Sequence, residues 1–250
     1  MSIVKCDNLT KFFPIRRGYL REASGMVKAV DGVSLAIEKG ETFGLVGESG
    51  CGKTTLGKLI LGILKPDSGS IELATDRRQV VFQDPYNSLD PKMRVSEIVA
   101  EGMVLKKSQE NKSARAQDTR AQIEGILELV KLSKTAISKY PHQFSGGERQ
   151  RIAIARALIT KPEFIVCDEP VSSLDVTVQL QILNLLKEIQ KNNNITYLFI
   201  SHDLRVVKYM CEKVAVMKEG KIVEEGMTKI VYSNPQAPYT RLLLSSILKV

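Results

Sequence analysis

Apolar and polar positions change rhythm along the chain. Short alternating stretches, Ile3–Leu9 and Val33–Ile37, predict antiparallel strands within residues 1–43. Between them Pro14 to Val27 holds Gly18 and Gly25, and four basic residues fall within Arg16–Lys28, which reads as an inserted loop. In residues 43–83 and 162–226, apolar strand-like runs alternate with amphipathic helical stretches, the pattern of a buried, mostly parallel sheet. Residues 84–160 read as mostly helical: Ile98–Leu105 and Ile123–Val130 are periodic, and the charged run Lys106–Arg120 reads as a solvated face or loop. Tyr239–Leu248 predicts a short helix after Asn234-Pro235 and Pro238.

Composition narrows the class. The 250 residues are 43% hydrophobic and 26% charged, enough apolar surface for a core, so disorder throughout is excluded. No run approaches the roughly 18 apolar residues of a membrane-spanning helix, and Met1 to Pro14 lacks a secretory signal's apolar core. Cys6, Cys51, Cys167 and Cys211 lie far apart without a CxxC pair, which argues for reduced thiols and against structural zinc, an iron–sulfur cluster or disulfides. A net charge of +8 suits anionic partners, nucleotides among them, without choosing one.

Gly47-Glu48-Ser49-Gly50-Cys51-Gly52-Lys53-Thr54 fits GxxxxGK[ST]. Four fixed positions would match by chance in about one such chain in a hundred. Here Thr42–Val46 before the motif reads as a strand and Thr54–Leu64 after it as a helix, the setting the motif requires. Its glycines let backbone N–H groups wrap a phosphate, and the helix N-terminus adds partial positive charge. Lys53 would neutralise the β- and γ-phosphates, Thr54 would ligate Mg²⁺, and Thr55 follows in the same set.

Phe164–Cys167 is an apolar strand ending in Asp168-Glu169, and Tyr197–Ile200 another ending in Ser201-His202-Asp203. Carboxyl ends of parallel strands share one edge, so three polar clusters are expected together there. Asp168 would serve the Mg²⁺ water shell, Glu169 would accept a proton from the attacking water or orient it, and His202 would reach the γ-phosphate or hold the water in line. Ser145-Gly146-Gly147 opens the predicted helix Glu148–Leu158 and offers a second anion site; a plain helix cap by Ser145 would explain the serine but not the double glycine.

With Phe144, the run Ser145-Gly146-Gly147-Glu148-Arg149-Gln150-Arg151 resembles the ABC signature motif, and the other motifs occur in the order of that family's ATPases over almost the whole chain. The resemblance implies an α/β P-loop NTPase fold: an antiparallel β subdomain (1–43), a RecA-like core (44–83 and 162–226), an inserted helical subdomain (84–161) and a short tail (227–250). It implies ATP and Mg²⁺ as ligands, with two cassettes sandwiching two ATP molecules and each signature completing the opposite site. By resemblance Gln83 is the glutamine that touches Mg²⁺ and senses the membrane partner, Asp175 in Ser172-Ser173-Leu174-Asp175 belongs to the D-loop, and Phe13 stacks on adenine, with core packing as its plainer alternative.

Phe82-Gln83-Asp84-Pro85-Tyr86-Asn87-Ser88-Leu89-Asp90-Pro91, Tyr140-Pro141-His142, Cys167 to Ser172, and Pro238-Tyr239-Thr240 together resemble ATP-binding subunits of oligopeptide, dipeptide and nickel importers, the second of their two ATPases in particular. This implies a non-identical partner ATPase (a homodimer in isolation), two membrane permease subunits, an extracytoplasmic solute-binding protein acting indirectly, and a peripheral place on the cytoplasmic face of the membrane. Ala237 stands where a histidine is common and Glu148 where a glutamine is; the short Leu73–Gln79 connection and the short tail to Val250 tilt the expected cargo slightly towards nickel or a metal chelate. The competing class is a soluble ABC ATPase acting on nucleic acid or ribosomes. Against it, the chain shows neither sustained heptads nor a second cassette. A GTPase is disfavoured because no NKxD motif is present.

Overall fold

The computed structural model describes residues 1–17, 22–84, 88–106 and 112–246. In chain order they form β1 (Ser2–Arg17), β2 (Glu22–Glu38), β3 (Thr42–Val46), α1 (Lys53–Ile60), β4 (Ser68–Leu73), β5 (Arg78–Val81), α2 (Val95–Ala100), α3 (Lys112–Leu129), α4 (Gly146–Leu158), β6 (Phe164–Asp168), α5 (Val176–Asn193), β7 (Thr196–Ser201), α6 (Leu204–Met210), β8 (Lys213–Lys218), β9 (Lys221–Met227), α7 (Thr228–Ser233) and α8 (Pro238–Ser245). Two compact units divide them: Met1–Asp76 with Thr196–Val250, and Arg77–Ile195.

In the first unit β2, β1 and β4 form an antiparallel sheet in that order. The inserted loop expected over Pro14 to Val27 is corrected: β1 runs on through Arg17 and β2 begins at Glu22, with Phe13 opposite Val27 and Pro14 opposite Met26. Only residues 18–21 of that stretch lie outside the described residues. Pro14 misled the reading because proline lacks a ladder donor. Here β4 pairs with β1 only between Val4 and Thr10, so Pro14 sits past β4's reach, where a missing N–H is tolerated.

The same unit pairs β3 in parallel with both β7 and β8, and β8 antiparallel with β9. β3 and β7 are buried at every position because parallel strands are covered on both faces, which is why their sequences are continuously apolar. Phe43, Leu45, Tyr197 and Phe199 fill this core. The register sets Val46 beside Ser201, so the chain leaves both strands at one edge.

In the second unit β5 and β6 pair in parallel, with Val81 beside Cys167. Helix α5 buries Ile182, Leu185, Leu186 and Ile189, the i, i+3, i+4, i+7 stripe of an amphipathic helix. The charged stretch expected on a solvated face or loop falls partly in α3, where Arg120 pairs with Glu124 at 2.9 Å; residues 107–111 lie outside the described residues, as do Pro85-Tyr86-Asn87 and residues 247–250, the end of the expected helix Tyr239–Leu248 among them. All four cysteines are free and buried, and burial pushes the Cys6 thiol up to about 12.

Candidate functional site

The phosphate loop leaves the buried strand β3 and returns through Gly52 into α1. Gly52 has φ 110°, and a Cβ there would meet the Ala29 carbonyl oxygen at 1.9 Å. At Gly47 a Cβ would meet the Met217 carbonyl oxygen at 2.2 Å. These two glycines are therefore required by close backbone approach, not only by a ligand. Lys53 is buried, and its ammonium donates to the Gly47 and Glu48 carbonyl oxygens, each at 2.8 Å. A buried ammonium needs such partners, because desolvating a charge without them is costly. Cys51 is buried with its Sγ 3.7 Å from the same nitrogen, while Glu48, Ser49, Gly50 and Thr54 are exposed and Thr55 is half-buried.

His202 follows β7 as the loop follows β3, and the Val46–Ser201 pairing brings both to one strand edge, as expected within this unit. His202 is exposed, and Asp203 behind it caps α6 by accepting from the Arg205 N–H at 2.8 Å. Burial opposes ionisation of Asp203, but bonds from the Arg205 guanidinium and N–H hold its carboxyl below the usual range. Phe13 is 37% exposed, with the Lys11 ammonium 5.9 Å from its ring centre. Asp67 fixes the adjoining backbone, accepting from the Phe12 N–H and from Lys11, each at 2.7 Å.

In the second unit the strands β5 and β6 deliver Gln83 and Glu169 to one edge, and the Gln83 amide nitrogen donates to Glu169 Oε2 at 3.1 Å. That contact was not legible from the motifs taken singly. Asp168 ends β6 buried, 9% exposed, and Glu169 turns the chain with φ 49°, a conformation unusual for a residue with a side chain. Such backbone strain gathers at functional sites. Ser172 holds the turn, its N–H and hydroxyl donating to the Glu169 carbonyl oxygen at 3.3 and 3.2 Å.

Ser145 is exposed and caps α4: the Glu148 N–H donates to its hydroxyl at 3.3 Å, and Glu148 Oε2 accepts from the Ser145 N–H at 2.9 Å. This reciprocal box gives Glu148, unusual for the signature, a local role. Gly147 has a packing reason that sequence reasoning missed, since a Cβ there would meet Val178 Cγ1 of α5 at 2.4 Å. Gly146 is half-buried at the first helical position. Asp175 caps α5, accepting from the Val178 N–H at 3.0 Å.

A glycine loop between a buried parallel strand and a helix, with a buried lysine at its centre, defines a P-loop nucleotide-binding protein of α/β class. A family model described as ABC transporter matches residues 30–172. The oligopeptide transport ATP-binding protein OppF of Bacillus subtilis (strain 168) is 47% identical over 239 residues, covering 89% of this chain and 77% of that one. The peptidoglycan transport ATP-binding protein YejF of Agrobacterium fabrum (strain C58 / ATCC 33970) is 45% identical over 262 residues, covering 99% of this chain; the chain spans about half, 47%, of that protein. The dimeric, post-hydrolysis structure of the ATP-binding cassette MJ0796 bound to ADP and Pi matches with a TM-score of 0.75 at 27% identity, over 90% of this chain and 98% of that one. The chain belongs to the ABC transporter family and is one of its ATP-hydrolysing cassettes.

Proposed function

We propose that the chain powers the import of peptides through separate permease subunits. The observation that carries the paired-cassette part of this reading is the exposed Ser145 at the start of α4, a helix terminus suited to an anion in a chain that already has a phosphate loop. A second cassette facing this one would use it. The OppF relative's printed name speaks for oligopeptides rather than nickel.

Each residue then has a task. Lys53 and the loop N–H groups neutralise the phosphates, and Phe13 stacks on adenine. The donor set fits Mg²⁺, which is typically held by one or two carboxylates and substrate phosphates: Asp168 offers a buried carboxylate at the end of β6. Thr54, Asp168 and the Gln83 side-chain oxygen would hold it, since the Gln83 nitrogen is already committed to Glu169. When bound, the ion supplies charge neutralisation at the phosphates. Glu169 takes the proton of the attacking water, His202 orients that water against the γ-phosphate, and Ser145, Gly146, Gly147 and Asp175 serve the nucleotide of the facing cassette. The functional partition is that of the sequence, with residues 1–43, 44–83 and 162–226, 84–161 and 227–250 as its parts.

The proposed assembly holds a non-identical second ATPase, two permeases and, indirectly, a solute-binding protein, at the cytoplasmic face of the membrane. No helix among the described residues is long and apolar enough to cross a membrane. The test is ATP-driven uptake of a labelled oligopeptide by proteoliposomes containing these subunits. Uptake lost with Lys53→Ala supports the reading. Hydrolysis stimulated by nickel-loaded and not by peptide-loaded binding protein overturns the cargo.

A further inference from the structure

The tail residue Tyr239 marks the subfamily resemblance but has no part in the chemistry above. In the structure the Glu48 N–H, inside the phosphate loop, donates to the Tyr239 hydroxyl oxygen at 3.2 Å. The peptide joining Gly47 to Glu48 is trans, so its carbonyl and its N–H point in opposite directions. Its carbonyl oxygen accepts from the Lys53 ammonium at 2.8 Å. One rigid plane therefore meets Lys53 on one edge and the tail on the other. Rotation of that plane would break both bonds.

Tyr239 is itself held firmly. Glu224 on β9 accepts from the Gln236 and Ala237 N–H groups at 2.8 and 3.0 Å, just ahead of α8. Arg241 Nε donates back to the Pro235 carbonyl oxygen at 2.9 Å, and the Lys218 ammonium lies 5.1 Å from the Tyr239 ring centre. Burial opposes ionisation of Glu224, but the two N–H donors and Arg241 keep its carboxyl below the usual range. A charged acceptor on an ordered strand thus fixes the hydroxyl that fixes the loop.

We propose that Tyr239 is a positioning residue for ATP: it pins the Gly47–Glu48 peptide with its carbonyl towards Lys53, and so presets the ammonium that meets the phosphates. The proposal rests on the reading of residues 47–54 as the nucleotide cradle. Preorganisation of this kind is felt in binding, because a loop already in place loses less freedom when the ligand arrives.

The test is Tyr239→Phe in the full chain assembled with its permeases, which removes the hydroxyl and keeps the ring over which Lys218 sits. The KM for ATP is expected to rise about three- to tenfold with kcat within about twofold, as for loss of one hydrogen bond used in ground-state binding. The Kd for Mg-ATP, measured in the slow-hydrolysing Glu169→Gln background, should rise by the same factor. A tail that merely stabilises the fold would lower the melting temperature and leave both constants unmoved. KM and Kd within about twofold of the parent overturn the proposal. Should Tyr239→Phe fail to fold, Glu224→Gln loosens the same strut and is expected to shift KM in the same direction by less; an unchanged KM there counts against the proposal. Lys53→Ala separates the two readings: if it leaves ATP affinity intact, the cradle itself is misassigned, whatever Tyr239 does.

Discussion

Gln83 donates its side-chain N–H to Glu169 Oε2 at 3.1 Å, from a strand end that lies beside the end of β6. The pair joins the residue expected to sense the membrane partner to the residue expected to activate water. A change in the position of Gln83 therefore reaches the carboxylate directly.

Glu169→Gln is expected to keep ATP binding and to cut turnover at least about a hundredfold, the loss of a positioned base. Glutamine meets the same backbone demand at φ 49° as glutamate, so the comparison is clean of added strain. Phosphate release and filter-bound ATP in the assembled transporter read the two effects. Near-normal phosphate release would remove Glu169 from its role.

Two substitutions separate the capping role of Ser145 from its phosphate role. Ser145→Ala removes the side-chain cap of α4 and is expected to cost about 0.5–2 kcal/mol. Ser145→Asp keeps a capping oxygen but sets a carboxylate where phosphate is expected. Its melting temperature should lie near that of Ser145→Ala, since the hydroxyl's bond to Glu148 Oε2 at 2.9 Å is lost in both, while ATP-dependent association of cassettes, read by size-exclusion chromatography, is lost only in the aspartate variant. Association surviving in the aspartate variant would leave Ser145 a cap and nothing more.

Gly147→Ala places a methyl group where Val178 Cγ1 stands. Overpacking of this kind is expected to destabilise by about 1–3 kcal/mol in denaturant titrations. Val178→Ala in the same chain should recover most of that loss, a coupling that a double-mutant cycle measures. Independent, additive effects would show that the contact is not the reason for the glycine.

Asp203 supplies a pH dependence with a definite sign. Its carboxyl is held below the usual carboxylate value in the folded chain, so its contribution is complete above that value and disappears as pH falls through the lowered one. Asp203→Asn keeps a capping side chain for α6 but does not titrate. Thermal melts across the acid range should show a shallower loss of stability for the variant; parallel curves would exclude Asp203 as a contributor.

Much of this was legible in the sequence, for physical reasons that differ by element. β3 and β7 were visible because a doubly covered parallel strand must be apolar throughout, and the phosphate loop because Gly52 and Lys53 answer to steric and charge demands that few residues meet. The pairing of Pro14 and its neighbours with β2 was hidden because proline and glycine signal turns locally, whereas the pairing belongs to a long ladder between distant residues, with several register shifts along it, that residue types do not reveal. The Gln83–Glu169 bond and the Glu48–Tyr239 bond were hidden for a related reason: each joins residues far apart in the chain, and residue types alone do not say which distant group a side chain meets. Gly147 was legible as unusual but was assigned to a ligand, when its nearest demand comes from a valine.

That valine ties two helix ends together. With no side chain at position 147, α4 rests directly on the first turn of α5, the turn that Asp175 caps. The serine end of one helix and the aspartate end of the other are thereby held close together. A shift of the Ser145 end is therefore expected to be felt at the Asp175 end across that close contact.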